Sequence, residues 1–134
     1  MAFKIWESIA EIADKVNKQE ITALSNVEES LALIKELDPE HKFVIAVCED
    51  RAIQRAKEID TKVANGEKVG KLAGVPFLAK DNFLVFGAKT TAASNILKYF
   101  EAPYQSSAID KLEAEGAICV AKANLDAFAH GSST

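Results

Sequence analysis

The 134-residue sequence contains no glycine before position 66, and all six of its glycines lie between Gly66 and Gly131. Charge is divided the same way. Residues 1–70 carry 10 basic and 14 acidic side chains, whereas residues 71–134 carry 6 of each. A glycine-free, charge-rich half favours helices with solvated faces, and a half punctuated by glycine and apolar runs favours strands and turns. Three helices are expected in the first half. Ile5, Ile9, Ile12 and Val16 form one stripe at helical spacing, widened by Trp6 and Ala13. A second helix runs from an N-cap at Thr22 to Leu37, with Leu24, Val27, Leu31 and Ile34 in register, and Asp38-Pro39 ends it. A third runs from Glu49 to Ala64, burying Ile53, Ala56, Ile59 and Val63, and stops at Asn65-Gly66. Phe43 to Val47 is a short apolar run, either extended or the lead into that third helix. No functional residue stands out among these stripes.

The second half alternates. Gly74 to Lys80 and Ala117 to Ala121 read as buried strands, and a helix capped at Ser106 or Ser107 runs between them to Glu115, closed by Gly116. Asn124 can cap a short helix through "LDAFA". The fold class is therefore α/β: residues 1–66 form a helical segment and residues 67–134 begin an α/β core. Two or three strands are fewer than a typical sheet holds, so the chain reads as the N-terminal portion of a larger domain.

Several functions are disfavoured by the totals. A net charge of -4 argues against a stand-alone nucleic-acid binder. No apolar run approaches a membrane span, and the charged N-terminus lacks the pattern of a secretory signal. Cys48 and Cys119 lie in the apolar strings "VIAVCED" and "GAICVAK". They read as buried reduced thiols of a cytoplasmic protein; their spacing fits no zinc or redox motif and leaves a disulfide open.

The residue that invites a chemical reading is Lys80, at the end of "GVPFLAK" and followed by Asp81. As a structural residue it would carry its amine to water or pair with an acid such as Asp81, although neighbours along a strand point to opposite faces. As a functional residue it would be a buried amine. A general base must be neutral, and an apolar site can lower a lysine pKa from its usual ~10.4 towards ~7.

The ordered motifs that follow decide between these. "GKLAGVPFLAKDNF", "TTAAS", and "APYQSSAIDKLEAEGAICVAKANLDAFAHGSST" resemble the N-terminal part of the amidase signature family, most closely those members that serve aspartyl/glutamyl-tRNA amidotransferases as the glutamine amidase. The resemblance covers the whole second half. It implies an amidase signature mixed-sheet α/β/α domain, present here only in its first part, and amide hydrolysis by a Ser–Ser–Lys triad. Lys80 matches the triad lysine. The two serines of the triad belong to a Gly/Ser-rich segment downstream of "GSST", so Ser132 and Ser133 are not the nucleophile. Gly131, Ser132 and Ser133 match a motif that lines the substrate, and Asp81 supports the turn or the surroundings of the lysine.

The resemblance also implies glutamine as the amide, mischarged tRNA held through a kinase and tRNA-binding partner subunit, and a small third subunit. ATP and Mg²⁺ would serve the partner; this chain itself would need no cofactor and no metal. Without the serines the 134 residues alone are expected to be inactive, with Lys80 wet and charged. The alternatives are another amidase signature enzyme acting on a simple, aryl or fatty amide, or a non-catalytic α/β interaction module. Two departures from the family pattern stand out: Ala127 and His130 replace an acid and a methionine, and Ala93 stands where glycine is common. His130 is read as a lining residue.

Overall fold

The computed structural model describes residues 7–131. Its elements run α1 (Ile9–Asn17), α2 (Ala23–His41), β1 (Val44–Val47), α3 (Glu49–Ala64), β2 (Pro76–Lys80), α4 (Ser107–Ala114) and β3 (Ile118–Ala123), with short 3-10 turns at Asn95–Leu97 and Ala127–Ala129. The three strands form a mixed sheet in the order β1-β3-β2. The central β3 is antiparallel to β1 and parallel to β2. The result is the mixed α/β arrangement expected from the sequence.

Local chemistry explains where the helices begin. Ser8 caps α1 through a reciprocal box with Glu11. The Thr22 hydroxyl accepts from the Ser25 amide at 3.0 Å and starts α2. The α3 boundaries coincide with the sequence reading, and Gly66 follows it at φ 80°. Ile5 and Trp6 lie outside the described residues, so the first stripe is tested only from Ile9 onward. Of its members, Ala13 and Val16 are buried, but Ile9 is exposed.

Pro39 does not end α2 as expected: the helix continues through it to His41. Near a C-terminus, proline removes a single i→i−4 bond, and the last turn here has other support. The Lys42 amide donates to the Asp38 carbonyl at 2.8 Å, and the Asp38 carboxylate accepts from the Val44 amide at 2.7 Å. Asp38 therefore fastens the helix end directly to the start of β1. Nor is "LDAFA" an α-helix. Asn124 instead holds its own turn, accepting from the Leu125 amide and donating to the Lys42 carbonyl.

The main core joins both halves of the sequence. Val16, Val27, Ile34, Ala52, Ala56, Ile59, Val63, Val75, Ile118 and Val120 pack on one face of the sheet. A smaller cluster, Ala79, Val85, Ile109 and Cys119, packs on the other. At Gly116 the backbone passes so close that an added Cβ would meet Ala73 Cα at 2.9 Å, at φ 94°. Only glycine fits there, where α4 turns into β3.

One irregularity in β3 decides what reaches the second face. Phe77 pairs with Cys119, but Leu78 pairs with Ala121, leaving Val120 as an extra residue. A bulge reverses the side-chain alternation beyond it. Cys119 pairs with Phe77 and Lys122 with Ala79. Those two β2 residues share a face, so Cys119 and Lys122 share it too.

Candidate active site

β2 ends at Lys80, and its backbone pairing continues one residue further, where the Asp81 amide donates to the Ala123 carbonyl at 3.0 Å. A turn follows, closed by Phe83 N–H on the Lys80 carbonyl at 2.9 Å. At this corner Lys80 is exposed and Asp81 is fully buried. Among the described residues Lys80 forms no ion pair, and its neighbour's carboxylate points elsewhere.

The buried amine of this region belongs to Lys122. Its side chain is wholly inaccessible, and its Nζ donates to Asp81 Oδ1 at 2.8 Å, to the Lys89 carbonyl at 3.2 Å and to Thr90 Oγ1 at 3.3 Å. The other Asp81 oxygen accepts from the Thr91 amide at 3.0 Å and from the Thr91 hydroxyl at 2.5 Å. A charge pair removed from water costs free energy unless the remaining donors and acceptors are satisfied, and here they are. Asp81 thus ties together the end of β2, the "TTAA" loop and β3.

The tie extends to the last turn of the described chain. The Ala92 amide donates to the Asp81 carbonyl at 3.0 Å, and the Phe128 amide donates to the Ala92 carbonyl at 2.9 Å. Both connected loops carry paired left-handed residues, Ala92 (φ 48°) with Ala93 (φ 53°), and Phe128 (φ 55°) with Ala129 (φ 58°). Non-glycine residues in this region cost about 1 kcal/mol or more each. Four of them in two hydrogen-bonded loops around one buried ion pair mark a place where the fold fixes a particular backbone geometry.

Gly131 is exposed beside these loops, and a Cβ there would collide with the Asp126 carboxylate at 2.2 Å. His130 is exposed. Ser132 and Ser133 lie outside the described residues. Of the site residues expected from sequence, then, Lys80 and Asp81 share one corner, and backbone hydrogen bonds through Ala92 link that corner to the turn preceding Gly131. Lys122, Thr90 and Thr91 were not singled out. Lys122 follows the apolar run Ala117–Ala121, but Lys80 closes an apolar run too, so the pattern alone does not tell which amine is buried.

A second polar cluster braces α3 against α4. Arg51 donates through Nη1 and Nη2 to the two Glu113 oxygens at 2.5 and 2.9 Å, and through Nε to the Phe86 carbonyl at 3.0 Å. Gln105 donates to Glu113 at 2.8 Å. Burial pushes the Glu113 carboxyl up, but the hydrogen bonds from Arg51 and Gln105 and the charges of Arg51 and Arg55 outweigh it and hold the group below its usual range. Among the described residues, no three His, Cys, Asp or Glu side chains gather as a metal-binding set, and no helix is long and apolar enough to cross a membrane.

Comparison with known proteins shows the family and the fold. The amidase family model matches residues 25–134. A GatA-type protein of the glutamyl-tRNA(Gln) amidotransferase of Clostridium acetobutylicum is 52% identical over 101 residues, covering 75% of this chain and 21% of that protein. The GatA protein of the glutamyl-tRNA(Gln) amidotransferase of Thermoanaerobacter pseudethanolicus is 42% identical over 127 residues, covering 95% of this chain and 26% of the relative. The crystal structure of a bacterial aryl acylamidase of the amidase signature family superposes with a TM-score of 0.82 at 30% identity, over 92% of this chain and 26% of the other. The chain thus spans about a quarter or less of the curated relatives it matches. With the family model matching most of its length, the chain belongs to the amidase family.

Proposed function

We propose that these residues are the lysine-bearing part of the glutamine amidase of a tRNA-dependent amidotransferase. The observation that carries this reading is the 42–52% identity to GatA proteins over 75–95% of this chain. In this reading Lys80 is the base of a Ser–Ser–Lys triad, acting on serines beyond residue 134. A serine would attack the glutamine side-chain amide, ammonia would leave, and water would release glutamate from the acyl-enzyme. The exposed amine at the β2 end is accessible to such partners, and the buried Asp81–Lys122 pair beneath it keeps the corner rigid. Gly131, Ser132 and Ser133 would line the substrate.

The ammonia would pass to a partner subunit that uses ATP and Mg²⁺ to activate Glu-tRNA(Gln) or Asp-tRNA(Asn), with a small third subunit completing a cytoplasmic complex. The acidic balance of the chain suits a protein that leaves tRNA to its partner. The likeness to an aryl acylamidase favours a second reading, hydrolysis of an aryl amide by the same lysine.

The test compares ammonia release from glutamine with aryl-amide hydrolysis, in a protein that carries these residues together with the downstream serine segment. Lys80→Ala is expected to reduce glutamine hydrolysis by at least about a hundredfold, the scale of a general base. Hydrolysis of aryl amide alone would transfer the assignment to the second reading. Retention of full activity by Lys80→Ala would overturn the role of the lysine in both. The 134-residue chain by itself is expected to release no ammonia, and Lys80-dependent release by it would also refute the reading.

A further inference from the structure

Cys48 and Cys119 are 71 positions apart in sequence, but the sheet makes them neighbours. Cys48 follows β1 directly, and its amide donates to the carbonyl of Val120 at 2.9 Å, one residue from Cys119. Ala46 pairs with Lys122 across the β1–β3 ladder, so Cys48, two residues on, returns to the same face as Lys122. The Val120 bulge puts Cys119 on that face as well. Both residues are buried, Cys48 at 8% exposure and Cys119 at 0%, and both are free thiols.

Their environments are unequal. The dominant influence on each thiol is the other. Cys48 is held below its ordinary value by interaction with Cys119 and then by the charges of Lys122 and Arg51, whereas Cys119 is driven far up by Cys48 and by burial. Of the two, Cys48 is both the readier thiolate and the less completely buried.

We propose that Cys48 and Cys119 are a redox pair that closes to a disulfide on exposure to hydrogen peroxide. In the first step the Cys48 thiolate attacks a peroxide oxygen. The O–O bond breaks, hydroxide leaves and takes up a proton as water, and Cys48 becomes a sulfenic acid. In the second, Cys119 gives up its thiol proton and its sulfur attacks the Cys48 sulfur. The S–S bond forms, the S–O bond breaks, and the departing hydroxide takes up a proton and leaves as a second water. Two thiols are oxidised and one peroxide is reduced. The product is a covalent tie between the start of α3 and the strand that carries Lys122. Nothing in this inference depends on the amidase reading.

The purified protein is treated with hydrogen peroxide, alkylated without reduction, and analysed by intact mass and peptide mapping. The expected result is a monomer lighter by two hydrogens, with a Cys48–Cys119 cross-linked peptide that dithiothreitol reverses. Two alkylatable cysteines after treatment, oxygen adducts without a cross-link, or disulfide-linked dimers would each overturn the proposal. Cys119→Val, a volume-compatible change at a buried strand position, is expected to leave Cys48 taking up oxygen. A loss of two hydrogens in that variant would likewise overturn it.

Discussion

Replacing Lys122 by methionine keeps most of the side-chain volume and deletes the ammonium. The change removes three hydrogen bonds, to Asp81 at 2.8 Å, the Lys89 carbonyl at 3.2 Å and Thr90 at 3.3 Å. It leaves a fully buried carboxylate with only the Thr91 amide and hydroxyl as donors. Breaking a buried pair from one side costs about 3–5 kcal/mol, most of it the penalty of the stranded charge. At a urea dependence of about 2 kcal/mol per molar, that lowers the unfolding midpoint by about 2 M. Asp81→Asn strands the ammonium instead and is expected to cost a similar amount. The double variant Asp81→Asn/Lys122→Met leaves no buried charge, so its cost should fall short of the sum by at least about 2 kcal/mol. Urea unfolding followed by circular dichroism measures all three. A Lys122→Met loss below about 1 kcal/mol, or strict additivity in the double variant, would refute the claim that the pair holds this corner together.

Two further outcomes follow from the same geometry. Ala93 sits at φ 53°, so Ala93→Gly relieves left-handed strain and should stabilise by about 0.5–1 kcal/mol, whereas Ala52→Gly inside α3 should destabilise by about 1 kcal/mol; thermal unfolding of the two variants compares the signs, and a loss at Ala93 would count against the strain. Glu113 has a depressed carboxyl pKa in the fold, so its contribution is present above the ordinary glutamate value of 4.5 and is lost as pH falls through the lower folded value. Glu113→Gln should therefore be less stable than the parent near neutrality, with the gap narrowing in acid, as urea midpoints taken from about pH 3 to about pH 7 would show; a gap independent of pH would contradict the ion pair with Arg51.

What the sequence disclosed was set by how local the determining interaction is. The bounds of α3 are legible because its stripe, its acidic first turn and Gly66 all lie within one stretch of chain. Thr22 is legible as a cap for the same reason. Pro39 misleads because the support for the last turn of α2 comes from a carboxylate that reaches out to Val44, which a residue-by-residue propensity does not register. The left-handed loops are illegible altogether, since alanine and phenylalanine carry no sign of positive φ. The two lysines show the limit most clearly. Both close apolar runs, and sequence reasoning draws attention to Lys80 because family motifs surround it. The structure exposes Lys80 and buries Lys122. In a regular strand Cys119 and Lys122, three residues apart, would face opposite ways; the bulge at Val120 sets both on the face of Ala79, where Lys122 meets Asp81. Bulges arise from pairing between strands, here β2 with β3 about 40 residues apart, and no window along one strand contains them. The same insertion brings Cys119 onto the face shared with Cys48. One backbone irregularity thus lets the charge pair beneath the candidate lysine and the thiol pair beside it share a face. Deleting Val120 would leave Cys119 and Lys122 as alternate residues of a regular strand, still opposite Phe77 and Ala79, so both pairs should survive the deletion; loss of both would contradict this reading of the bulge.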